Sequence, residues 1–132
     1  MGKAKLAAIS PFFPVTNMDE TVAFYRDKLG FEVRFRPPDS PWFAILGREG
    51  AQIFFKEEGG ISPVPNYTRH EHLRWDAFIY VADPDALAVE FSSQGVKFTK
   101  PLKDTTDGLR GFELADPNGY IIFFGRPLSE KP

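Results

Sequence analysis

The feature that most constrains this 132-residue chain is an internal repetition at a nearly constant offset. Val15-Thr16-Asn17 leads into Met18 as Val81-Ala82-Asp83 leads into Pro84; the two valines, and Asn17 and Asp83, are 66 residues apart, while Gly30 and Gly95 are 65 apart. Each half also closes on an aromatic run, Ala51-Gln52-Ile53-Phe54-Phe55 in the first and Tyr120-Ile121-Ile122-Phe123-Phe124 in the second. The same order of signals twice over points to a duplicated unit.

Within the first unit, Asn17 and Glu20 stand three apart, as a helix N-cap and its partner carboxylate do. Val22, Tyr25 and Leu29 then recur on one helical face, and Gly30 sits where a left-handed C′ residue is wanted, which predicts a helix over 18–29. Phe31, Val33 and Phe35 alternate as in a half-buried strand. In the second unit Asp83 is the expected N-cap and Pro84 the first helical residue, Leu87 and Phe91 form an apolar pair one turn apart, Gly95 ends the helix, and Val96-Lys97-Phe98 should start a strand. Gly47-Arg48-Glu49-Gly50 and Asp116-Pro117-Asn118-Gly119 are turn signals, the second containing an Asn-Gly pair suited to a tight hairpin. Residues 59–72, with Gly59-Gly60 and two prolines but no apolar period, read as a mobile linker between units 1–58 and 73–132, which together form one domain.

Composition narrows the functional classes. Sixteen Lys and Arg against 18 Asp and Glu give a net charge of −2, with no basic run to follow a phosphate backbone, so nucleic acid is not an expected partner. The absence of Cys removes thiolate nucleophiles, disulfides and thiolate metal sites, and suits the cytoplasm. The apolar part of the N-terminal stretch is too short for a signal segment and no run approaches a membrane span, so a soluble protein is expected, with no membrane partner. No serine sits in a glycine-flanked elbow, and Gly59-Gly60 is not followed by the Lys and helix of a phosphate loop. Fourteen Phe and two Trp supply an unusually aromatic interior.

The run Val15-Thr16-Asn17-Met18-Asp19-Glu20-Thr21-Val22-Ala23-Phe24-Tyr25 with Leu29-Gly30-Phe31 resembles the first-module signature of the glyoxalase, bleomycin-resistance and extradiol dioxygenase (vicinal oxygen chelate) superfamily. Trp75 to Leu87 and Gly111 to Gly119 resemble the second module of its bleomycin-resistance branch. The resemblance implies an α+β fold of two tandem βαβββ modules forming a curved, barrel-like mixed sheet with helices outside. It also implies a small organic molecule as partner and a homodimer, with exchange of modules left open. Members of that branch sequester a bulky, planar, cationic antibiotic without altering it and so confer resistance.

The family's metal ligands come from the first and last strands of each module. Counted from the landmarks, those positions hold Ser10, Phe54, Asp76 and Phe123. A phenyl ring has no lone pair, and one carboxylate cannot satisfy a divalent ion by itself, so neither a metal nor another cofactor is expected. What remains is a cavity lined by aromatic rings. Strand alternation turns Phe12, Gln52, Lys56, Phe78 and Ile121 to the same side as those lost positions, and Trp42 and Trp75 flank strands as candidate stacking surfaces. The candidate ligand-binding set is therefore Phe12, Trp42, Phe54, Lys56, Trp75, Asp76, Phe78, Arg110, Phe112 and Phe123, with Arg110 as the charged contact. No catalytic residue is assigned. The competing reading is a lyase, isomerase or dioxygenase with relocated metal ligands drawn from His70, His72, Glu57 and Glu58. A protein-interaction module whose Phe side chains fill their own cavity is a third.

Overall fold

The computed structural model describes residues 2–130. The first helix, α1 (Met18–Leu29), has the predicted bounds: Asn17 accepts the Glu20 N–H at 2.9 Å, and Gly30 adopts φ 74° at the C-terminal end. Its N-terminus is closed from elsewhere, since Glu57 Oε1 accepts the Met18 N–H at 2.6 Å. The second helix, α2 (Pro84–Ser93), is capped by Asp83, which accepts the Ala86 N–H at 3.1 Å. Gly95, at φ 81°, turns the chain away.

Strands β1 (Phe12–Val15), β2 (Glu32–Phe35), β3 (Phe43–Arg48) and β4 (Ala51–Glu57) belong to the first module. Strands β5 (Ala77–Tyr80), β6 (Lys100–Asp104), β7 (Leu109–Ala115) and β8 (Ile121–Pro127) belong to the second. They form two four-stranded sheets of matching order, β1-β4-β3-β2 and β5-β8-β7-β6, in each of which the first strand runs parallel to the last. The register makes the repetition exact at residue level: Phe12 and Phe13 pair with Phe54 and Phe55 as Phe78 and Ile79 pair with Phe123 and Phe124.

One face of each sheet carries its helix, and these two faces contribute to a single buried cluster that includes Tyr25, Leu29, Phe55, Phe91, Phe112 and Phe124. The modules are latched there by hydrogen bonds over long sequence distances. Tyr25 donates to Asp116 at 2.7 Å, Tyr120 donates to the Pro14 carbonyl at 2.6 Å while its ring stacks on Phe13 at 4.2 Å, and Asn118 engages both Thr16 and Thr21. On the other side Arg48 grips Glu90 through two bonds of 2.7 and 2.9 Å. Because the modules join through their helix-covered faces, the sheets do not close on one another, and their opposite faces are turned outward.

Four local expectations change. Val96–Phe98 forms no strand; Val96 and Phe98 instead pack half-buried against the core, and pairing begins at Lys100. In β2, a bulge at Arg34 pairs Val33 with Leu46 but Phe35 with Ile45, so the two residues fall on opposite faces. The turn at Asp116–Gly119 is not a two-residue hairpin: Asp116 Oδ1 folds back to accept the Asn118 and Tyr120 N–H groups at 2.8 and 3.0 Å. The linker is fastened near its middle by a 3₁₀ turn, Asn66–Thr68, whose Asn66 bonds both Asp76 and Trp75.

Candidate functional site

The faces without helices carry the candidate site. On the first sheet, Phe12, Phe43, Phe54 and Lys56 share one side because their strands pair directly, and the β2 bulge brings Phe35 to them. Phe43 meets Phe35 and Phe54 edge-on at 6.0 Å each. Trp42, in the loop entering β3, completes a shallow groove of ≈ 430 Å³ with Phe12, Phe35, Pro37, Phe43 and Lys56. Phe12 and Phe35 remain 54% and 50% exposed, which is a large apolar surface to leave in water. Lys56 lies 3.4 Å from Glu58, so the groove carries one charge of each sign at its edge.

On the second sheet, Phe78 stacks on Phe123 at 5.4 Å, and Trp75 covers Phe123 at 4.6 Å. The Phe123 ring lies flat over Gly111 and Gly125, where a Cβ would come within 2.6 and 2.5 Å of it. Two glycines thus make the seat for this ring; Phe123 is buried, while Phe78 stays exposed and Trp75 half-buried. Asp76 lies beside the cluster but its carboxylate is occupied, accepting the Asn66 and Ile121 N–H groups at 2.8 Å each. On the same face, beside Phe123, Glu113 is 1% exposed, pairs with Arg74 and accepts from Thr99 at 3.0 Å.

Phe12, Trp42, Phe54 and Lys56 therefore come together on one sheet, and Trp75, Phe78 and Phe123 on the other. Ile121 shares a face with Phe123 but is buried, and Gln52 accepts from Arg34 at 3.3 Å. Two members of the set lie elsewhere. Arg110 is on the helix side, held by Asp85 through two bonds of 2.8 Å and by Asp104 at 2.9 Å; these bonds hold its pKa above the ordinary guanidinium value and occupy its donors. Phe112 is fully buried against α2, stacked on Phe98 at 4.4 Å and edge-on to Phe91. Strand alternation explains both, since Arg110 and Phe112 are in phase with Leu114 and not with Glu113. Phe35 and Phe43 also belong to this face, without a signal in the linear sequence: Phe43 is placed by the register of β3 on β4, and Phe35 by the bulge.

The relocated-ligand set is not assembled. His70 and His72 are exposed with ring centroids 5.2 Å apart, Glu57 is committed to Met18, and among the described residues no three His, Asp or Glu side chains converge. Nor, among those residues, is any helix long and apolar enough to cross a membrane.

Two repeated modules, each a helix and a parallel outer strand with a three-stranded antiparallel meander, define the class of vicinal oxygen chelate folds. The chain belongs to the Glyoxalase/Bleomycin resistance protein/Dioxygenase superfamily, whose sequence model matches residues 6–124. No curated protein matches it in sequence. Among solved structures it is similar to a bleomycin-binding protein complexed with bleomycin, at TM-score 0.72 and 21% identity, covering 92% of this chain and 98% of that one. It is also similar to the bleomycin-binding protein of Streptomyces verticillus complexed with copper(II)-bleomycin (TM-score 0.68, 24% identity, 92% and 97% covered). TioX from Micromonospora sp. ML1 is a third such structure (TM-score 0.69, 21% identity, 92% and 100% covered).

Proposed function

We propose that the protein sequesters an aromatic or cationic organic molecule on the aromatic faces of its sheets, without a metal and without changing the molecule covalently. The observation that carries this reading is the open groove of Phe12, Phe35, Trp42 and Phe43 on the face that also carries Phe54. Flat rings with a few polar neighbours select planar guests by shape and stacking, and their quadrupoles favour positive charge. The counted metal positions support metal independence by their chemistry: Phe54 and Phe123 offer no donor, and Asp76 is already engaged by two N–H groups. The solved bleomycin complexes give the reading a precedent in fold.

A homodimer is part of this reading. Each aromatic face would be one wall of a site, and a second chain placing its Phe78 and Trp75 face opposite the first groove would supply the other. Exposed apolar area on both faces supports such pairing. The lack of Cys fits a reducing compartment such as the cytoplasm.

The test is titration of the purified protein with planar aromatic cations, followed by tryptophan fluorescence, with metal analysis of the same sample. Saturable quenching that weakens at least about tenfold in Phe54→Ala is expected, corresponding to loss of one stacking contact and its burial. About one tightly held Zn, Fe, Mn or Ni per chain, or no binding of any planar cation, would overturn the proposal.

A further inference from the structure

We infer that the second junction between the modules is a separate binding site for a small phenol, bordering the second aromatic sheet face at Phe78. The two junctions occupy equivalent places in the duplicated fold but are built differently. From the strand registers, Phe13 and Pro14 correspond to Ile79 and Tyr80, and Tyr120, three residues before Phe123, corresponds to Ala51, three before Phe54. At the first junction the Tyr120 ring lies on Phe13 and its hydroxyl donates to the Pro14 carbonyl. At the second, Ala51 stands where the tyrosine would be, and a cavity of ≈ 530 Å³ opens beside it.

The rest of the lining has changed in the same direction. Thr21 and Tyr25 of α1, whose hydroxyls are bonded to Asn118 and Asp116, correspond to Leu87 and Phe91 of α2, which also line the cavity. With Phe31, Ile53 and Ile79 they make the apolar part of a cavity within the size range of organic-ligand sites, which Arg48, Glu49 and Gln52 also line. The main-chain acceptor of the first junction is retained. Val81 donates to Gly125 of the neighbouring strand, and alternate residues of a parallel strand point their backbone groups to opposite sides, so the Tyr80 carbonyl faces the open edge as the Pro14 carbonyl does. The first junction thus displays the guest that the second lacks: a six-membered ring over the β5 side chains, carrying one hydroxyl directed at a main-chain oxygen.

The probes are 4-ethylphenol and ethylbenzene, titrated into the full chain by calorimetry and followed by NMR. The expected result is saturable binding of 4-ethylphenol at one site per chain, with ethylbenzene about fivefold weaker for want of the donor. Ala51→Tyr, which installs the equivalent of Tyr120, should abolish phenol binding and leave aromatic-cation binding at the sheet face unchanged. Ala51→Leu, a milder filling, should weaken phenol binding if the tyrosine variant does not fold. Absence of saturable binding, equal affinity for the two probes, or unchanged phenol affinity in both Ala51 variants would overturn the inference. So would loss of phenol binding in Phe54→Ala, because the guest would then lie on the sheet face.

Discussion

Asp116 shows how much one residue does in this fold. Its carboxylate holds the turn before β8 through two N–H groups and reaches across the module boundary to Tyr25. Burial raises its pKa to about 6 despite those hydrogen bonds, and burial followed by the nearby Asp116 charge raises that of Tyr25. Since the folded value lies above the ordinary one, the folded state binds the proton more tightly. The associated stability is fully present below about pH 4 and is lost as pH rises through 6. A gap of roughly two pH units is worth about 3 kcal/mol. Asp116→Asn keeps an acceptor for both N–H groups and removes the titration. Urea midpoints at pH 4 and pH 7 should show wild type losing about that much more stability than the variant; equal slopes would refute the assignment. Glu113 is a different case, neutralised by Arg74, and Arg74→Ala should cost about 3–5 kcal/mol by stranding a buried carboxylate. Urea denaturation measures this too, and a loss under about 1 kcal/mol would mean that solvent reaches Glu113.

Among the elements, β7 and β8 form the best-defined pair, and the seat of Phe123 depends on them. Gly111 and Gly125 are directly opposed, and each lies close to the ring as well as to the facing backbone. Gly111→Ala should therefore displace Phe123 from beneath Trp75, costing about 1–3 kcal/mol through overpacking. The change in Trp75 packing should be visible in near-ultraviolet circular dichroism. An unchanged spectrum and stability would show that the ring has another resting place. The β2 bulge has the opposite effect, adding a side chain to an aromatic face by turning Phe35 over. Periodicity misses such a step, because a one-residue slip reverses every later side chain.

For the whole molecule, the relation of the two modules decides both where ligands go and how the chain is held together. Tyr120→Ala would open at the first junction the kind of space already present at the second, and should destabilise the protein by about 3–5 kcal/mol, as deletion of a buried aromatic ring does. Thermal unfolding checks it, and a negligible shift would mean that the junction is not a latch. Phe12→Asp, on the exposed sheet face, should instead leave the monomer's stability nearly unchanged while shifting sedimentation toward monomer and reducing aromatic-cation binding. A dimer indifferent to this substitution would place the subunit contact elsewhere.

Local order was legible without coordinates wherever a short-range physical rule governs it. The α1 bounds follow from Asn17, the apolar stripe and Gly30; the duplication follows from a fixed offset; and the phase of Phe12, Phe54, Phe78 and Phe123 follows from strand alternation counted from nearby landmarks. The sequence could not fix the phase of Arg110 and Phe112, the engagement of Asp76, or the contribution of Phe35 and Phe43, because these depend on strand register and on partners up to tens of residues away. Nor could it reveal that the modules join through their helix-covered faces. Periodicity says which side of an element is apolar, while the partner that covers that side is chosen by packing among all the elements at once.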